Sequence, residues 1–219
     1  MPTKYIKVVK NKEEKKGEER EVEKNIKKVN TILCSTDNYP LAKWAKYVKS
    51  GYVKRVADNE IEGKVIELSG TANGVWIALP KTIDQVIGIP YPWLFFIIKA
   101  IPEKQLIIDV QVLDSTSIKR TFRFDTKTTL TKLRHMLALV DLSIKPGFWT
   151  CLEMDLIHLV AKNYNTRFVQ LCRIQIHGSC KVRRVYTASS YITQEELPPE
   201  YKVSPATNLN DPPTKPTVT

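Results

Sequence analysis

Four stretches of this chain alternate apolar and polar residues too regularly for helices. They are "GVWIALP", "LIIDVQVLD", "IKRTFRFD" and "WTCLEMDL". In an extended strand successive side chains point to opposite faces, so each stretch has one greasy face and one wet one. Val75, Ile77 and Leu79 share a face, as do Ile108, Val110 and Val112, then Phe122 and Phe124, then Leu152, Met154 and Leu156. The opposite faces carry Asp109 and Gln111, then Lys119, Thr121 and Arg123, then Cys151, Glu153 and Asp155. Several one-faced strands bury their apolar sides most simply against one another. The expected fold is all-β, a two-sheet antiparallel sandwich. Asp114 to Ser117 breaks two alternating runs and predicts a hairpin turn.

Helical signals are few. In "YPLAKWAKYVKSG" Leu41, Trp44, Ala45 and Val48 fall on one helical face before Gly51, which predicts a helix. "DLIHLVAKNY" fits one or two helical turns. "TLTKLRHMLALVDL" fits either period, and we read it as a strand with Leu133, Leu137 and Leu139 on its apolar face.

The stretch "CRIQIHGSCKVRRVY", residues 172 to 186, reads as a hairpin turning at Gly178–Ser179. Its second half breaks the alternation: Val182 and Val185 are three apart, with Arg183 and Arg184 between them. A β-bulge near Arg184 would let both valines face inward.

Composition divides the chain into three. Residues 1–30 hold ten Lys or Arg and six Glu with few large side chains, a charged extension that cannot offset its own ordering entropy. Residues 204–219 are rich in Pro, Thr and Asn and read as a tail. The domain is 31–203. With 42 % hydrophobic residues over the 219-residue chain, a substantial core is available. The longest strictly apolar run, Trp93 to Ile98, is too short to span a bilayer. The charged N-terminus is unlike a signal peptide. Cys34, Cys151, Cys172 and Cys180 show no CxxC spacing, so a reduced compartment is expected.

Catalytic and metal chemistry is sparse. No glycine-rich phosphate loop, GxSxG elbow or HExxH is present. Cys172, His177 and Cys180 lie close in sequence, but Cys172 shares the core parity of Ile174 while His177 points away, which favours buried thiols over a metal site. Glu153 and Asp155 share a strand face about 7 Å apart, a spacing open to paired acid–base work. Solvated carboxylates are the plainer reading. Trp44, Trp76, Trp93 and Trp149 suit core or rim packing better than a stacking platform. We expect no catalytic residue, no metal and no cofactor.

What stands out is cationic charge. The net charge is +11, a surplus that favours acidic partners. Arg173, Lys181, Arg183 and Arg184 crowd one segment, Lys119, Arg120 and Arg123 another, and Lys54 and Arg55 a third. In the first group arginine outnumbers lysine three to one, and arginine suits bidentate contact with carboxylates. These nine residues form the expected partner-binding surface.

"GYVKRVADNEIEGKVIELSGT", "IIDVQVLD", "RIQIHGSCKVRRVY" and the closing "ELPPEYK", in this order and at similar spacing, resemble the cilia- and flagella-associated protein 20 family over about residues 39 to 203. The resemblance implies a jelly-roll-like β-sandwich similar to carbohydrate-binding modules, without enzymatic activity. It implies a place in the axoneme of cilia or flagella, at the inner junction that closes the B-tubule onto the A-tubule. There the family touches tubulin, an acidic protein, and alternates with the parkin co-regulated gene protein. The charged extension departs from the short aromatic- and glycine-containing segment that family members carry, so contacts of that segment do not transfer. Two other readings use the same features. A nucleic-acid-binding module would use the charge with Trp and Tyr stacking, though no RNA-binding or helix-turn-helix signature is present. A carbohydrate-binding module rests on the fold alone. No membrane partner is expected.

Overall fold

The computed structural model describes residues 4–6, 27–61, 63–193 and 195–203. Fourteen strands appear among them: β1 Lys4–Ile6, β2 Lys27–Cys34, β3 Ala45–Val48, β4 Gly51–Asp58, β5 Gly63–Gly70, β6 Val75–Leu79, β7 Trp93–Ala100, β8 Leu106–Asp114, β9 Lys119–Asp125, β10 Lys132–Leu133, β11 Leu137–Asp141, β12 Trp149–Asp155, β13 Phe168–Gly178 and β14 Cys180–Ala188. One α-helix, α1, spans Leu156–Tyr164, and a short 3-10 turn spans Pro199–Tyr201. No helix among the described residues is long and apolar enough to cross a membrane. The strand β2 runs across the expected boundary at residue 30, and β1 pairs with it. The rest of the charged extension, and residues 204–219, lie outside the described residues.

The strands form two seven-stranded sheets, as the alternation predicts. In the first, β14 is central. It pairs with β7 on one edge, with β12 beyond, and with β5 and β2 on the other, followed by β4 and β1. The second runs β10-β11-β9-β8-β13-β6-β3. Every pairing is antiparallel except β11 with β9. Between the sheets Ile77, Ile108, Val110, Phe122, Ile174 and Ile176 meet Ile66, Leu68, Leu94, Phe96, Ile98 and Val182 in one buried cluster. Those of the second sheet are the inward residues of the alternating runs.

The first sheet is buried on its other face as well. Phe95 and Ile97 of β7 point away from the central core into a second cluster with Val65, Tyr186, Ile192, Leu197 and Tyr201. The run "WLFFII" therefore has no wet face, because residues 189–193 and 195–203 return across the sheet as a strap. Phe95 stacks on Tyr186 at 4.7 Å, Tyr186 meets Tyr201 edge-on at 4.9 Å, and the Tyr201 hydroxyl is 2.8 Å from Thr31 Oγ1.

Three expectations need correction. Residues 172–186 do not form a hairpin: β13 belongs to the second sheet and β14 to the first. Gly178, at φ +88°, and Ser179 make the corner between them. A Cβ on Gly178 would lie 2.1 Å from the Gln105 carbonyl oxygen, so only glycine fits. Ser179 Oγ fastens the corner, donating to the Gly70 carbonyl at 2.8 Å. The helix expected over "YPLAKWAKYVKSG" is instead a run of turns followed by β3. Pairing of Ala45–Val48 with β6 overrides the helical spacing, and Val48 is 48 % exposed. The strand reading of "TLTKLRHMLALVDL" holds, as β10 and β11, but its inward residue is Ala138 while Leu133 is 52 % exposed. The parallel register with β9, which sets Ala138 beside Phe122, decides this.

Other expectations stand. The β8–β9 hairpin turns at 115–117. The helix α1 begins on Asp155, whose side chain accepts from the His158 N–H at 3.0 Å, and buries Leu156 and Val160. In β14 the register slips by one against β7 between Val182 and Arg184, and Val182 and Val185 are both fully buried in the central core.

Two buried carboxylates hold the second sheet. Asp114, at the turn end of β8, accepts from Arg120 Nε at 2.8 Å, from Thr116 Oγ1 at 2.6 Å and from the Ile118 N–H at 3.0 Å. Burial alone would raise its pKa, but the bonds from Thr116 and Arg120 outweigh that and hold the carboxyl well below the usual carboxylate range. Asp109 is likewise lowered against the cost of burial, by a two-pronged bond from Arg123 at 2.8 and 2.7 Å and by His177.

Both carboxyls ionise more readily folded than unfolded. Their stabilisation is complete above the ordinary carboxylate value, about pH 4, and is lost as pH falls from there toward their depressed folded values. Urea midpoints measured from pH 5 down to pH 2 should fall less steeply for Asp114→Asn than for the parent chain. Truncating the strap's anchor, Tyr201→Ala, should cost about 3–5 kcal/mol in urea unfolding, the range for emptying a buried aromatic site. A loss under about 1 kcal/mol would mean the strap is dispensable.

Candidate functional site

The nine cations singled out from the sequence do not share one surface. Six serve the fold. Arg120 has the inward parity of Phe122 and Phe124 and closes the end of the core, bound to Asp114 and the His135 carbonyl, with its guanidinium 4.4 Å over the Tyr164 ring. Arg123 lies across Asp109. Lys181 donates to Asp58 at 2.8 Å, which holds the ammonium above its ordinary pKa. Asp58 also accepts from Trp149 Nε1 at 3.3 Å; burial pushes its carboxyl up, and the bonds from Lys181 and Trp149 bring it net below the ordinary value. Arg173 donates to the carbonyls of Pro80 and Thr82 at 2.8 and 3.1 Å. Arg183, the bulge residue, donates to the Ile61 carbonyl at 3.0 Å. Arg184 is only 8 % exposed and covers the Tyr201 ring at 4.2 Å, tying the strap to β14.

Lys54, Arg55 and Lys119 remain exposed. Lys119 opens β9, in the second sheet. Lys54 and Arg55 lie on β4, the outermost strand of the first sheet beyond β5. They are joined there by residues the sequence reading missed. Lys43, Lys46 and Lys49 are exposed along and around β3, the edge strand of the second sheet. The signal was available: between Asp37 and Asp58 the chain carries five cations and no acid. The helical reading of this stretch spread them around a cylinder, whereas two edge strands gather them along one side of the sandwich.

A groove of about 380 Å³ opens on this side, lined by Tyr39, Leu41, Lys46, Val53, Lys54, Arg55 and Ile66, with Asn38, Pro40 and Ala42 completing it. Tyr39 is 82 % exposed. Arg55 donates to the Thr36 carbonyl at 3.0 Å, and Lys54 stands 4.8 Å over the Tyr52 ring. The nearest cross-strand acid, Glu67, takes a hydrogen bond from the Tyr52 hydroxyl. A second groove, about 520 Å³, is lined by Ile32, Leu79, Val86 and Ile89 together with Lys43 and Lys81.

The other constellations are occupied structurally. Cys172 and Cys180 are buried free thiols, both pushed up by burial, and Cys180 lies in the central core. His177 sits 3.5 Å from Asp109. Among the described residues no group of three His, Cys, Asp or Glu is placed to hold a metal. Asp155 is the helix cap, and Glu153 lies beside Tyr191 on the outer face of β12. Of the tryptophans, Trp44 is in the core, Trp149 bonds Asp58, Trp93 meets Tyr191 at 4.8 Å, and half-buried Trp76 stacks on Tyr47 at 5.2 Å.

Comparison with known proteins gives a consistent assignment. Residues 22–205 match the CFA20 domain. The chain is 32 % identical to cilia- and flagella-associated protein 20 of Paramecium tetraurelia over 174 residues, 79 % of this chain and 90 % of that protein. The protein of that name in Caenorhabditis elegans is 33 % identical, with 79 % and 85 % covered, and that of Chlamydomonas reinhardtii 30 %, with 79 % and 90 %. Among solved structures it is similar to the CBM22-1 xylan-binding domain from Paenibacillus barcinonensis Xyn10C (TM-score 0.38, 9 % identity, 74 % of this chain and 97 % of that one). It is also similar to the CBM22-1-GH10 modules of Clostridium thermocellum xylanase 10B (TM-score 0.39, 13 % identity, 75 % and 28 %). With the family match spanning nearly the whole described sandwich, this chain belongs to the CFA20 domain family.

Proposed function

We propose that this chain is a non-enzymatic structural component of the ciliary or flagellar axoneme. It binds tubulin at the inner junction of doublet microtubules and helps close the B-tubule onto the A-tubule, next to a neighbour like the parkin co-regulated gene protein. Family membership supports the ciliary setting. The observation that carries the binding mode is the exposed cationic margin on β3 and β4, where Lys43, Lys46, Lys49, Lys54 and Arg55 outnumber the one cross-strand acid, Glu67. A doubly cored sandwich offers fixed geometry, and its positive side complements an acidic polymer wall. Each exposed ion pair contributes at most roughly 1 kcal/mol, so attachment strength comes from repetition along the filament. The six cations bound within the fold act indirectly, by keeping the brick rigid, and direct contact falls to Lys54, Arg55 and Lys119 with Lys43, Lys46 and Lys49.

Co-sedimentation with microtubules tests this. The double reversal Lys54→Glu with Arg55→Glu should weaken binding by roughly tenfold, the effect of losing two exposed ion pairs, with the unfolding midpoint held. Binding at the parent level would overturn the reading. Equal retention on nucleic acid, with a steep salt slope and no preference for microtubules, would favour the nucleic-acid-binding alternative.

A further inference from the structure

The groove between Tyr39 and Arg55 has a shape and chemistry more specific than a positive patch. It lies where the two sheets part company. Its floor is apolar, from Leu41, Val53 and the buried Ile66. Its rim holds Lys46, Lys54 and Arg55, and no carboxylate lines it. The strands flanking it, β3 and β4, are each hydrogen-bonded on one side only among the described residues: β3 to β6 and β4 to β5. An edge strand presents a row of unpaired N–H and C=O groups, a ready template for an added strand. Exposed Tyr39 stands at the end where the loop from β2 enters.

From this geometry we propose that the groove is a docking site for an extended, glutamate-rich segment of a partner chain, carrying one apolar side chain for the floor. The backbone of that segment runs along a free strand edge. Its carboxylates meet Lys46, Lys54 and Arg55, and its apolar residue sits over Leu41 and Val53 beside Tyr39. Charge complementarity selects the occupant: Lys43, Lys46, Lys49, Lys54 and Arg55 are exposed on this side, and among the described residues the acid across the strands from them is Glu67, opposite Lys54 and hydrogen-bonded by the Tyr52 hydroxyl. This deepens the microtubule reading and rests on it for where such a segment comes from, but not for the chemistry of the groove.

Lysines on edge strands also blunt pairing between copies of one chain. If that were their whole purpose, the groove would bind no peptide. The test uses the full chain and a fluorescent twelve-residue peptide of glutamates with one central Phe, read by fluorescence polarisation at low salt. A matched peptide with Gln in place of Glu, and one with Gly in place of Phe, serve as comparisons. The Glu peptide should bind, and the Gln peptide should bind at least roughly tenfold more weakly, as expected when several charge-assisted contacts become neutral ones. Lys46→Glu with Arg55→Glu should reduce affinity for the Glu peptide by a similar factor. Tyr39→Ala, at a side chain too exposed to matter for folding, should weaken the Phe peptide and leave the Gly peptide unchanged. Equal binding of Glu and Gln peptides, unchanged affinity in the double reversal, or no binding at all would overturn the proposal. Peptide binding without microtubule co-sedimentation would sink the tubulin reading and leave the groove intact. Co-sedimentation lost only in Lys119→Glu, with no peptide binding, would do the reverse.

Discussion

The structure depends on burying the first sheet on both faces. A sandwich strand ordinarily needs one apolar side. Here β7 and β14 offer two, and the second is covered by residues 189–193 and 195–203. Leu94, Phe96 and Ile98 meet the second sheet while Phe95 and Ile97 meet the strap. Burying apolar area on both sides of a central strand removes it from water at about 25 cal/mol per Å². It also fixes the register of β14 from two directions. The bulge at Arg183 follows: it turns Val182 and Val185 inward and leaves Arg184 on the strap side, over Tyr201.

That arrangement explains why most of the arginines are not available for partners. A guanidinium next to a core must be hydrogen-bonded or stacked, because an unpaired buried charge is costly. Arg120 and Arg123 find Asp114 and Asp109, Arg173 and Arg183 find backbone carbonyls, and Arg184 finds an aromatic face. The planar, multi-donor group that suits recognition of carboxylates also suits the satisfaction of buried ones. The arginine bias therefore marks internal fastening. The lysine-rich side along β3 and β4, where five exposed cations gather, carries the outward charge.

Much was legible in the residues. Alternation identified β6, β8, β9 and β12, and the spacing of Val182 and Val185 foretold a bulge. Parity could also have flagged Arg120, which shares the face of Phe122 and Phe124. Other features were not legible locally. Asp109 looked solvated because alternation puts it on the outer face, and nothing near it in sequence reveals that Arg123 and His177 come across to cover it. Leu41, Trp44, Ala45 and Val48 fit a helical face, yet β6 takes Ala45–Val48 as an edge strand. Ala138 rather than its leucine neighbours faces the core because β9 sets the register.

The sequence by itself determined the all-β class, the inward faces of the principal strands, the short helix after Asp155 and the large cationic surplus. These follow from periodicity and composition, which act over a few neighbouring residues. Only the tertiary structure decided that Gly178 and Ser179 turn a corner between sheets instead of a hairpin, and that Ile192, Leu197 and Tyr201 cover the first sheet. It alone separated cations that hold the fold from cations that face outward. Each of those outcomes rests on residues that meet across long sequence separations, such as Lys181 with Asp58 or Thr31 with Tyr201, and local pattern carries no information about which distant group will arrive.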